Sequence, residues 1–316
     1  MSLLTPYQNM NLLEAQKREG YTDSASFLAE LAKLNDLVAF APWFPANNGT
    51  FHKETKATRL GAGGFVGVNS AVPAISSAGE AETERVFFYK GDSEVEETLF
   101  EGLKPADVRA VRDSEDAANA EGSMQDWTQK VVYGDGTDPN APKGIMARLP
   151  SIDNARVFDN GGTGSTLTSL LLFEFGQNGF NFRYAPNSTP GISTEDRGRY
   201  KNSSNQWVWC RHLEISGGIR IHDNRAMMRL CNIDPTGSTI DMQKFIKMKN
   251  FLPHKGMMAM AFGNRSLHAV IEYAAYNKTN MLFTIQDIEG FGPITKSVGI
   301  PVMTMEAILD TETALT

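Results

Sequence analysis

The sequence predicts an α+β fold, and three observations carry that prediction. One long helix-forming stretch follows Pro105, the segments beyond it alternate apolar and polar residues with a period of two, and two further helical stretches interrupt them. The chain has 316 residues, 41% of them hydrophobic and 21% charged, enough for two compact units or one elongated one and for a sizeable core.

From the N-terminus, residues 5–19 and 24–35 read as two short helices. Pro6 suits a first helical turn, Asp23 or Ser24 suits a cap, and Phe27, Leu28, Leu31 and Leu34 share one face. Separated by Gly20, these helices bury little on each other and read as an arm that docks elsewhere. Pro42, Pro45 and Gly49 then break helix. Residues 51–90 follow as a long two-stranded excursion. Its first strand, "TFHKETKATRLG", is polar on both faces, its middle is small and flexible, and "TERVFFYK" returns. A lone hairpin buries too little to stand by itself, so its partner is expected outside the subunit.

The long helix is expected from Pro105 to about Gly134, whose place suits a stop. Val111, Ala118, Met124, Trp127 and Val131 form its apolar stripe, while Asp113, Glu115, Asp116 and Glu121 are expected to face away into water. Next comes "DNGGTGSTLTSLLLFEFG" (159–176), a glycine-rich loop before an apolar run. A phosphate cradle needs a helix behind it and a Walker loop needs a lysine. Here the Phe-rich alternation of 170–184 predicts a β-hairpin around "GQNG" (176–179) instead. Residues 206–234 alternate as strand, and helices are expected over 239–250 and 264–277. Strands over 281–287 and 294–303 complete the chain.

Candidate chemistry is sparse. A net charge of −7 argues against gripping nucleic acid through its phosphates, though not against enclosing it. Cys210 and Cys231 make no disulfide framework and suit a reducing cytosol. No signal peptide is legible at the start, no apolar run is long enough to span a membrane, and a soluble cytoplasmic product is expected. Cys210, His212 and His222 suggest zinc. If Gly217–Gly218 forms a turn, however, His222 points to the opposite face, and if the glycines form a bulge it lies farther off, so no metal is expected. Asp113, Glu115 and Asp116 read as a solvated helix face rather than catalytic carboxylates, and Ser165 lacks a nucleophile elbow. The many methionines read as deformable filler. No catalytic residue, cofactor or metal site is expected.

An arm, an unsupported hairpin, a spine-like helix and a strand-rich remainder make sense together if many copies interlock. Three passages make a family resemblance specific: "RDSEDAANAEGSMQDWTQKVVYGD" (112–135), "RHLEISGGIRIHDNRAMMRLCNID" (211–234) with the preceding "FRYAP" and "TEDRG", and "GIPVMTMEAILDTETAL" (299–315). In that order the chain resembles the major capsid protein of tailed double-stranded DNA bacteriophages, the Hong Kong 97 fold, most closely the epsilon-15-like podophage group. The match covers most of the chain after residue 100, and the first 100 residues match by architecture more than by letters.

The resemblance implies a shell subunit rather than an enzyme, with an N-terminal arm at 1–50 and an extended loop at 51–100. A peripheral domain holding the spine helix would occupy 101–155, and an axial domain plus returning peripheral strands 156–316. Hexamers and pentamers would close into an icosahedral head around double-stranded DNA, assembled in the host cytoplasm and carried in the virion. Portal, scaffolding and cement or decoration proteins would be partners, and no membrane. Arg59, Arg85, Phe87 and Phe88 are expected at or near the contact of the extended loop with a neighbouring copy, and Trp127, Met124 and Val131 in the packing of the spine helix. An encapsulin-type compartment shares the fold and would also self-assemble, whereas a β-rich hydrolase is the alternative from another class.

Overall fold

The computed structural model describes Leu37 and residues 40–188, 191–236, 240–254, 258–276, 283–288 and 292–316. The two helices expected within residues 5–35 lie outside them. In chain order the elements are β1 (Trp43–Pro45), β2 (Phe51–Arg59), β3 (Ala78–Arg85), β4 (Phe87–Glu96), α1 (Pro105–Tyr133), α2 (Ile145–Arg148), β5 (Val157–Asp159), β6 (Thr168–Glu174), β7 (Phe180–Tyr184), β8 (Gly191–Lys201), β9 (Trp207–Ile221) and β10 (Met227–Ile233). They continue as α3 (Met242–Phe251), β11 (Ala259–Gly263), α4 (Arg265–Tyr276), β12 (Phe283–Ile288), β13 (Gly292–Ser297) and β14 (Ile300–Thr304).

A seven-stranded sheet runs β12-β13-β14-β11-β6-β10-β5. Every residue of β6 and β10 is buried, which explains their near-continuous apolar runs: both faces are covered. Leu170 and Leu172 pack with Phe245 and Met248 of α3 and Leu267 and Ile271 of α4. Leu171 and Phe173, on the other face, pack with Trp127 and Val131 of α1 and with Phe180 and Phe182.

A second sheet is built around β9. One edge of β9 pairs with β4 along its first part, while the other pairs first with β8 and then with β7, which carries β1. α1 lies on this sheet. Pro105 opens it without a lost hydrogen bond, and Gly134 closes it where a Cβ would lie 2.3 Å from the Pro142 carbonyl. Trp127 is 2% exposed, stacks with Trp43 at 5.9 Å and meets the Phe182 ring at a tilt, 5.5 Å away. Val131 is fully buried, and half-buried Met124 packs against the same core. Nearer its start, Val111 joins a separate small cluster with Val95, Phe100 and Trp209.

Four expectations need correction. Asp116 does not face water: it is 7% exposed and pairs with Arg211 of β9 at 2.7 Å, because the polar side of α1 also lies on the sheet. "GQNG" is no hairpin turn. β6 pairs with β10 and β11 while β7 pairs with β1 and β9, so the segment carries the chain from one sheet to the other. Gly217–Gly218 is neither turn nor bulge, since β9 runs straight through it. A Cβ on Gly217 would lie 2.7 Å from the Trp127 ring, and one on Gly218 would lie 2.3 Å from the Arg85 carbonyl. Finally, 294–303 is not one strand: Val298 and Gly299, both at positive φ, turn β13 back onto β14.

Candidate functional site: the projecting hairpin

β2 and β3 pair only with each other among the described residues, in antiparallel register from Phe51 opposite Arg85 to Arg59 opposite Ala78. Beyond them the chain extends through residues 60–77 with every residue exposed. No charged side chain occurs from Leu60 to Gly79. Leu60, Phe65, Val68 and Val72 are 81%, 112%, 95% and 80% exposed. Water meets all four of these apolar side chains directly, and nothing in the described chain covers them. The tip is ordered locally by few contacts: Arg59 donates to Ser76 Oγ at 2.8 Å, and Ser70 N–H donates to the Gly67 carbonyl beside Asn69 at positive φ.

The root is built differently. Period-two geometry places His52, Glu54 and Lys56 of β2 opposite Glu84, Glu82 and Glu80 of β3, all on the face turned to the body. Glu54 accepts from Arg220 Nε at 3.0 Å, is paired again by Arg220 Nη2, and sits 3.1 Å from His222 Nδ1. Glu84 takes a bidentate pair from Arg148 of α2 at 2.7 and 3.0 Å. Lys56 pairs with Glu82 and donates to the Ile221 carbonyl at 2.6 Å. Burial works against the Glu54 charge, yet Arg220 and His222 outweigh it and hold the carboxyl below its usual range. Sequence reasoning missed this clamp, although the alternation of Glu80, Glu82 and Glu84 was its visible signal.

The four residues expected at the contact are not brought together. Arg59 is at the far end of the hairpin. Arg85 is at its root, donating to the Pro139 carbonyl at 2.8 Å and lying over the Phe87 ring at 5.6 Å. Phe87 and Phe88 belong to β4, where Phe87 is half-buried opposite Gly217 and Phe88 is 38% exposed beneath Lys90.

Cys210, His212 and His222 are also apart in role. His212 pairs with Asp92 on β4 at 2.5 Å, whereas His222 belongs to the hairpin root. Cys210 and Cys231 are both free and buried, and burial pushes the Cys231 thiol up to about 11. The glycine-rich loop seats the C-terminal segment. Its N–H groups at Asn160 and Gly162 donate to the carbonyls of Cys231 and Asn232, and the Gly164 carbonyl accepts from Ala314 N–H at 3.0 Å. Beside it the Glu312 carboxylate accepts from Tyr133, Ser169 and Arg229 at 2.6, 2.5 and 3.1 Å. Among the described residues no helix is long and apolar enough to cross a membrane.

Residues 22–316 match the family described as Major capsid protein GP7. Among solved structures, the chain is similar to a protein of bacteriophage Epsilon15, with a TM-score of 0.73 and 23% identity over 100% of both chains. It is also similar to the capsid of bacteriophage JBD30, with a TM-score of 0.52 and 9% identity over 97% of this chain and 96% of that one. An encapsulin from Synechococcus elongatus follows at a TM-score of 0.47 and 10% identity, over 74% of this chain and 99% of that one. Among curated proteins, none matches the sequence. The α+β chain has the Hong Kong 97-type capsid fold that its sequence led us to expect.

Proposed function

Because this chain belongs to the family of major capsid protein GP7, we propose that its projecting hairpin is the element that locks one copy to the next in a closed phage shell. The carrying observation is the uncharged, fully exposed tip at residues 60–77. Water penalises such a surface in a free subunit, and a neighbouring copy removes it from water. In this reading 51–100 is the extended loop and 1–50 the arm. The spine helix lies in 101–155 and the axial domain within 156–316, with hexamers and pentamers as capsomers. The chain acts by assembly and not by catalysis. Its acidic balance suits a wall that encloses double-stranded DNA without gripping it. Portal and scaffolding proteins complete the head in the host cytoplasm.

The test is a chain in which a short Gly-Ser turn replaces residues 60–77. It is expected to fold, with near-normal circular dichroism, and to remain as small species in sedimentation and negative-stain microscopy. Normal shells from that chain would end this reading.

A further inference from the structure

What holds the hairpin to the body is charge. Between Lys53 and Arg85 no apolar side chain is buried. The inner face presents Glu54, Glu82 and Glu84, and the body presents Arg220 and His222 at the end of β9 and Arg148 on α2. An open crevice of about 610 Å³, lined by Lys56, Glu80, Glu82, His222 and Asp223 among others, lies alongside and leaves room for the root to shift.

Within this contact His52 is anomalous. It is 8% exposed, its Nδ1 has no hydrogen-bond partner among the described residues, and its Nε2 lies 3.9 Å from Glu54. The charges around it are Arg183 of β7 and Arg220 of β9 on one side and Glu54 and Glu84 of the hairpin on the other. Glu84 is already committed to Arg148 and Glu54 to Arg220 and His222. The Arg183 guanidinium spends its Nη1 on the Pro45 carbonyl and lies over the Phe44 ring, with Nε unpartnered among the described residues. A proton on His52 therefore adds a further cation to a buried site whose anions are taken.

We infer that the hairpin root is a proton-sensitive joint, with His52 as its trigger and the Glu54–Arg220–His222 and Glu84–Arg148 pairs as the contacts it loosens. Burial, then Arg183 and Arg220, push the His52 imidazole below its ordinary value of 6.5. The docked root thus takes up protons less readily than the released one. Docking is complete above the ordinary histidine value and weakens as pH falls below it towards the lower docked value. The other imidazole at the root, His222, faces the same Glu54 carboxylate, its Nδ1 at 3.1 Å. This inference depends on the assembly role only for the use of the joint. Its test reads unassembled chains, so either idea can fail alone.

The experiment is hydrogen exchange, followed by mass spectrometry on the full-length chain between about pH 7.5 and about pH 5.5, bracketing the ordinary histidine value, and corrected for chemical exchange rates. Residues 51–59 and 78–85 are expected to lose protection at the lower pH while β6 and β10 keep theirs. His52→Gln should keep the root protected at both pH values, and Glu54→Gln should leave it open at both. An unchanged wild-type root at low pH, or a His52→Gln chain that opens like wild type, would overturn the inference. Should the variants fail to fold, a finer pH series on the wild-type chain decides: a root whose protection does not fall as the pH drops through the ordinary histidine value is not such a joint.

Discussion

At Gly217 and Arg220, three residues apart on β9, α1 and the hairpin are held by different physics. At its C-terminal half α1 is fixed through Trp127, whose ring lies against Gly217 with no room for a Cβ between them, stacks on Trp43 and packs at a tilt on Phe182. The hairpin is fixed through Arg220 and His222, which meet a carboxylate. Apolar packing at native density allows one arrangement. Charged pairs tolerate small displacements and answer to protons and salt. One strand thus carries an apolar seat and a charged one, and the charged one bears the element whose apolar tip is exposed.

This contrast can be broken by substitution. Trp127→Ala should cost the subunit about 3–5 kcal/mol, the range for a fully buried large aromatic, read from its urea midpoint. A loss below 1 kcal/mol would mean that the helix is held elsewhere. Glu312→Leu should come next at about 3 kcal/mol, since it leaves Arg229, 6% exposed, without its buried counter-charge. That places a charge pair inside the body with the tight contacts. Arg148→Ala, at the hairpin root, should cost no more than about 1 kcal/mol, because both partners retain some solvent. Thermal melts of the subunit would show it, and a cost equal to that of Trp127→Ala would erase the distinction. Smallest of all, Phe65→Ser should leave the subunit's unfolding free energy unchanged within about ±0.5 kcal/mol, yet reduce the yield of sedimenting particles. A destabilised subunit would show that the tip packs within its own chain.

The same contrast explains what could be read from the letters. Pro105, Gly134 and the stripe through Trp127 announce α1 because capping and amphipathicity are local signals. The exposed hairpin was legible because polarity on both faces excludes a core. Its root was not, since Glu54 and Glu84 meet Arg220 and Arg148 across long sequence separations. The Phe-rich alternation around "GQNG" looks the same whether two strands pair with each other or join different sheets. Only the partners of β6 and β7 distinguish the cases. Gly217–Gly218 resembles a turn for a related reason: glycine also serves where a ring or carbonyl comes close. Val298 misleads because β-branched residues rarely take positive φ, so "SVGI" reads as continuous strand.

The length of the hairpin turns the root into the short arm of a lever. From Lys56, bonded to the Ile221 carbonyl, the nine residues to Phe65 reach as far as about 30 Å when extended at about 3.3 Å each. A rotation of about ten degrees at the root, which needs only small changes in the clamp, then sweeps the far end through about 5 Å, close to the spacing of neighbouring strands. Side-chain rearrangements around Glu54 are thereby magnified into a displacement as large as one lattice step of a β-sheet. A tip that fits its seat at one root angle is a full strand out of place at another.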